Sequence, residues 1–171
     1  MKSKTKTILI HADPKSVFAY MDQLGNTGMH MTKSSMPMMG GKLVLEQLSA
    51  NATGLGSTFR WYGKVMGFAM DFTVVVTKWD EAKEKVWETS GEAKMIILSW
   101  YRMRLALTPQ GEFTKVELGI EYEKPRNIFF RFIAFFLAPW YANWCINNML
   151  RDSKVGLEES SRAEPMFVHH V

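Results

Sequence analysis

The spacing of apolar residues changes twice along this chain, and the changes divide it into three stretches. From Thr5 to His11 polar and apolar residues alternate loosely and β-branched types are frequent, which predicts a first strand. Ala12-Asp13-Pro14 closes it. Asp13 suits a helix N-cap, and Pro14 at the first helical position gives up only an N–H that would lack a partner anyway. Val17, Phe18, Met21 and Leu24 then fall on one face at helical spacing, predicting a short helix that ends near Gly25. Across residues 27–41, Met29, Met31, Met36, Met38 and Met39 stand among Thr, Ser, Gly and Pro37. A second short helix is expected here, followed by a loop that closes at Gly40-Gly41.

From Lys42 to Lys124 the chain reads as strands, expected over 42–48, 57–66, 68–79, 85–90, 95–108 and 113–123. Turns fall at 50–56, Gly67, 80–84 and Pro109-Gln110-Gly111. The last pair alternates most clearly. Tyr101, Met103, Leu105 and Leu107 share one face, against Trp100, Arg102, Arg104 and Ala106; Val116, Leu118, Ile120 and Tyr122 oppose Lys115, Glu117, Gly119, Glu121 and Glu123. One wet face and one apolar face define an antiparallel sheet that needs a cover.

The third stretch supplies that cover. Pro125 ends the strands, Asn127 can cap, and residues 128–162 read as one long helix bent near Pro139. Its later half sets Asn143, Asn147, Arg151, Lys154 and Glu158 on one stripe and Ile146, Met149, Leu150, Ser153 and Leu157 on another. The expected fold is therefore α+β: a curved six- to seven-stranded antiparallel sheet wrapped around a long C-terminal helix, with two short helices after the first strand. A length of 171 residues with no internal linker suits one domain over 1–163, and 164–171 is expected to be a flexible tail.

Composition sharpens this picture in two places. The 13 methionines and an aromatic share of 13% exceed ordinary usage, and methionine suits irregular, adaptable apolar surfaces. The net charge of +4 is scattered among acids rather than gathered in a stripe, which argues against nucleic-acid binding. Cys145 is alone, so the chain forms no internal disulfide, and the apolar run at Ile8–Ile10 is too short for a signal peptide; cytoplasmic residence, with a bias toward anionic membrane surfaces, is the expectation.

The order of elements gives the chain its family likeness. Ala12-Asp13-Pro14 through Val17-Phe18, Gly56-Ser57-Thr58-Phe59-Arg60 with Gly63, the stretch Val76 to Trp87, Tyr101-Arg102-Met103 and the strand Thr114 to Tyr122 together resemble the START-related SRPBCC superfamily over roughly residues 5–160. That group includes polyketide cyclases and dehydratases, lipid-transfer domains and coenzyme-Q-binding proteins. The resemblance implies a helix-grip fold with a cavity between sheet and terminal helix, and neither a cofactor nor an invariant catalytic residue. The tryptophan typical of the second short helix is replaced here by Met and His.

Ligand contacts in such a cavity are expected from Phe59, Trp61 and Phe72 on early strands, from Tyr101, Met103, Leu105, Leu118, Ile120 and Tyr122 on the last two, and from Met149 on the helix. Ser153 and Gly156 are expected to leave room. Met31 and Met36 would belong to an apolar lid. The same methionines and His30 offer soft donors that would suit Cu(I), a weaker alternative without a secretory signal. His, Asp and Glu residues show no paired spacing that defines a catalytic set, so no catalytic, metal or cofactor residue is assigned.

The first expectation is a binding or transport protein for a hydrophobic small molecule: a lipid, isoprenoid, quinone or polyketide-like compound. A cyclase or dehydratase with Tyr101, Tyr122 or His30 as acid or base is the enzyme alternative. The third alternative lies in segment 128–146, where Phe132–Ala142 runs for eleven residues without a polar break. That is short of the ~20 needed to span a bilayer, but it suits peripheral membrane contact or a homodimer.

Overall fold

The computed structural model describes residues 1–32, 41–65, 67–125 and 127–163. Met36 and the 164–171 tail lie outside these described residues. β1 (Lys2–Ile10) runs into α1 (Pro14–Asp22), where the Asp13 carboxylate accepts from the amides of Lys15 at 2.9 Å and Ser16 at 3.1 Å. Hydrogen bonds from the Ser16 hydroxyl and these amides hold Asp13 below the usual carboxylate range. The expected second short helix is two single turns, α2 (Leu24–Thr27) and α3 (Met29–Thr32).

The strands β2 (Lys42–Gln47), β3 (Thr58–Val65), β4 (Phe68–Asp80), β5 (Glu84–Lys94), β6 (Trp100–Gln110) and β7 (Phe113–Glu123) join β1 in one sheet, in the order β1-β7-β6-β5-β4-β3-β2. Every neighbouring pair is antiparallel. Between β4 and β5 the register shifts at Asp71/Thr73 and again at Val76/Lys78, and such bulges bend the sheet. Gly67, at φ 79°, takes the left-handed turn that a side chain would resist.

The two sheet faces follow the alternation. Outward charges pair across strands: Arg102 with Glu88 at 3.3 Å, and Arg104 with Glu84 at 2.5 Å and Glu117 at 3.3 Å. Inward side chains, among them Phe59, Trp61, Phe72, Met103, Leu105, Leu118 and Ile120, are buried. Several boundaries differ from the sequence reading: β1 begins at Lys2 rather than Thr5, β5 runs on to Lys94 rather than ending at Ser90, and β6 is shortened at its start. The strand expected from Met95 starts at Trp100, because four successive apolar residues cannot alternate between a wet and a dry face. The chain leaves the ladder instead, and the Ser99 amide donates to the Glu123 carbonyl at 3.0 Å.

α4 (Ile128–Ala163) lies along the inner face, capped by Asn127 Oδ1, which accepts from the Phe129 amide at 2.9 Å. Ala134, Ala138, Ala142 and Ile146, spaced by four, are fully buried, and Met149, Leu150 and Ser153 extend that stripe. By length and apolarity the segment Ile128–Glu159 could cross a membrane. Here its small-residue face is already packed within the domain, with α4 in contact with β1, β7 and α1.

Candidate ligand-binding site

Between the sheet and α4 lies a cavity of about 280 Å³. Its floor is Trp61, Phe72, Trp87, Tyr101, Met103 and Ile120, each inward by the alternation of its strand. Leu137, Trp140, Tyr141, Cys145 and Met149 of α4 form the roof, and α2, Gly28 and Met31 close one side. The fourth wall is the connection Met95–Leu98, whose apolar run turns inward once it has left the strand. Gly28 makes the approach of the short helical turns possible, since a Cβ there would lie 2.5 Å from the Trp61 ring. Trp140 lines the cavity and is 52% exposed, so its side chain reaches from the cavity wall to the protein surface.

The polar groups of the wall are few. Tyr101 packs edge-on to Phe72 with ring centroids 6.0 Å apart, and the Tyr141 hydroxyl lies 3.9 Å from Met31 Sδ. Tyr141 also reaches the Cys145 thiol across one helical turn. Burial raises both tyrosines, and it pushes the Cys145 thiol up to about 12, so all three keep their protons near neutrality. Among the described residues, no carboxylate, imidazole or ammonium lines this cavity. These walls can surround an apolar guest and donate hydrogen bonds to a carbonyl or hydroxyl on it. Among the described wall residues, Tyr101, Tyr141 and Cys145 stay protonated near neutrality and so act as donors rather than bases.

A second buried polar cluster lies outside the lining. Lys85, fully buried, places Nζ 2.6 Å from Asp22 Oδ1 and donates to the Asp22 carbonyl at 2.6 Å; the Trp79 indole donates to Asp22 Oδ2 at 2.9 Å. Burial lowers the Lys85 ammonium, and the Asp22 carboxylate opposes that shift. The pair ties the end of α1 to β5.

The structure brings Met31, Trp61, Phe72, Tyr101, Met103, Ile120 and Met149 together around the cavity. Phe59, Leu105, Leu118 and Tyr122 are buried in the core beyond its lining. Ser153 bonds back to the Met149 carbonyl at 2.7 Å, and the space beside Gly156 is filled by the Tyr20 ring, so neither leaves room for a guest. Sequence reasoning missed Trp87, Met95–Leu98, Leu137, Tyr141 and Cys145. For the last three a signal existed: the spacing of Ala134, Ala138 and Ala142 fixes the inner face of α4, and these side chains flank it.

No family model matches the sequence, and no curated protein is significantly similar to it. Solved structures are similar in fold. The aromatase/cyclase ZhuI of a Streptomyces species superposes with a TM-score of 0.72 at 14% identity, covering 95% of this chain and 96% of its own. A Thermus thermophilus protein gives 0.69 at 17% identity, covering 94% and 99%. A point mutant of Thalictrum flavum norcoclaurine synthase, in complex with a transition-state analogue, gives 0.66 at 12% identity, covering 94% and 96%. The chain thus has the helix-grip fold, in agreement with its resemblance to the SRPBCC superfamily.

Proposed function

We propose that the protein binds and carries a compact hydrophobic molecule in the cavity under α4. The observation that carries this reading is the wall itself: among the described residues, apolar and aromatic side chains broken only by uncharged polar groups, those of Thr27, Tyr101, Tyr141 and Cys145. The volume of about 280 Å³ lies just below the usual span for small-molecule sites, roughly 300–1,000 Å³. A ring-bearing guest such as a quinone head, a short isoprenoid or a small aromatic polyketide fits that space better than a whole diacyl lipid. The flat rings of Trp61, Trp87, Phe72 and Tyr101 would stack on it, and a tyrosine hydroxyl would orient its oxygen.

Native mass spectrometry and solvent extraction of the purified protein test this. A bound apolar compound is expected, and Tyr141→Phe should weaken its affinity about two- to tenfold, the range of one net hydrogen bond. Recovery of no guest, with no saturable quenching of tryptophan fluorescence by an aromatic probe, would defeat the reading.

A cyclase or dehydratase is the second reading. It is favoured by two tyrosines on one apolar cavity, which can polarise a carbonyl as hydrogen-bond donors. Such an enzyme would rely on proton donation and on confinement of a folded substrate, because burial keeps these groups from acting as bases.

A further inference from the structure

We propose that the N-terminal half of α4 is a docking face for an anionic lipid bilayer, lying in the headgroup region parallel to the surface. Phe129, Phe132, Phe136 and Trp140 recur every three or four residues on the side of the helix opposite Ala134, Ala138 and Ala142, Ile128 and Phe135 widen that face along its flank, and the exposures of the six run from 52% to 85%. They form a continuous patch. Ring centroids lie 5.8 Å apart for Phe132 and Phe136 and 5.1 Å for Phe135 and Phe136. Phe68, 48% exposed, extends the patch by stacking on Phe130 at 5.9 Å. An apolar surface of this extent marks a place where water is to be displaced.

The charges around the patch decide among partners. Lys124 Nζ stands 4.3 Å from the Phe135 ring centroid and Lys2 Nζ 5.8 Å, with Arg131 on the same half of the helix. Among the described residues, none of these three cations forms a salt bridge, whereas Arg60, Arg102 and Arg104 on the sheet are all paired. Desolvation, with Lys2 and Arg131 close by, lowers the Lys124 ammonium. A second copy of the chain docked through the same face would bring two sets of unpaired cations together. Lipid phosphates would neutralise them while the phenylalanines enter the acyl boundary, as in interfacial amphipathic helices. The helix lies on the bilayer rather than across it, because its alanine stripe is packed in the domain. Trp140 belongs both to this face and to the cavity wall, so a guest (this clause rests on the cavity reading) would exchange at the docked surface.

Vesicle flotation of the full-length protein tests the docking face. Recovery with phosphatidylcholine–phosphatidylglycerol vesicles is expected, with roughly tenfold less on phosphatidylcholine alone or in high salt. Phe132→Ser with Phe136→Ser replaces exposed residues only, so it should leave the thermal melt unchanged while cutting recovery at least about tenfold. Lys124→Glu with Arg131→Glu should abolish the preference for anionic vesicles. Absence of wild-type flotation would overturn the proposal. So would undiminished recovery of the phenylalanine variant, or a wild-type dimer in light scattering that this variant converts to monomer. Guest content, measured by native mass spectrometry on the same samples, reads the cavity separately.

Discussion

At one end of the groove beneath α4, the inner face of β6 is covered by α1, a helix of more than two turns whose Val17, Phe18 and Met21 are as completely buried as Leu105, Leu118 and Ile146. At the other end the cover is α2 and α3, single turns, together with the irregular Met95–Leu98 connection, and there the cavity opens. The strand residues at the two ends are chemically alike: Leu105 and Leu118 in the solid part, Met103 and Ile120 in the hollow part. What differs is the regularity of the lid. A full helix presents an interlocking ridge of side chains, whereas short turns stop before theirs can fill the groove. The polar groups differ likewise. Asp22 and Lys85 neutralise one another near the α1 end, while Tyr101, Tyr141 and Cys145 surround the void as uncharged donors.

The strongest way to break the contrast is at the buried ion pair. Asp22→Ala leaves the buried Lys85 ammonium without its carboxylate, a change of about 3–5 kcal/mol in stability, read as a shift of the urea midpoint. Asp22→Ala with Lys85→Met removes both charges and should recover most of that loss. If the single substitution changes stability by less than ~1 kcal/mol, the pair is not holding α1 to the sheet, and the solid end owes its filling to apolar packing alone.

A smaller effect separates the two ends directly. Leucine in place of Ser153, fully buried on the α4 stripe, has nowhere to go and should cost about 1–3 kcal/mol by overpacking. Leucine in place of Cys145, about two helical turns away on the cavity wall, enters vacant space. Cys145→Leu should leave stability within about 1 kcal/mol of the wild type while reducing uptake of any guest. Equal destabilisation by both would mean that the hollow end is as tightly filled as the other, and denaturant melts of the pair decide it.

These outcomes bear on what the chain's letters can disclose. Faces of the sheet are legible because charges alternate with apolar residues over β6 and β7, and the order of elements suffices for the helix-grip fold. Lys85 offered a clue that is easy to pass over: it shares an inward register with Trp87 and so demands an anion. Its partner, 63 residues away, follows only from how α1 is laid down. The cavity is less legible still, since a void is defined by what the cover fails to fill. Met95–Leu98 reads as strand until the one-sided wetness of the sheet is taken into account. Leu137, Tyr141 and Cys145 sit in a run so uniformly apolar that no face stands out without the alanine spacing.

The finest distinction concerns the tyrosines, which periodicity alone treats as equals. Tyr101 and Tyr122 face each other across β6 and β7, yet Tyr101 lines the cavity, whereas Tyr122 is 1% exposed outside its lining and its hydroxyl has no hydrogen-bond partner among the described residues. Removing an unsatisfied buried hydroxyl sacrifices no bond. Tyr122→Phe is therefore expected to keep stability or raise it by up to about 1 kcal/mol, with guest affinity unchanged. A loss of more than ~1 kcal/mol would show that the hydroxyl has an unseen partner. Weakened guest binding would extend the cavity to Tyr122 and move the boundary between the filled and hollow ends past the Tyr101–Tyr122 pair.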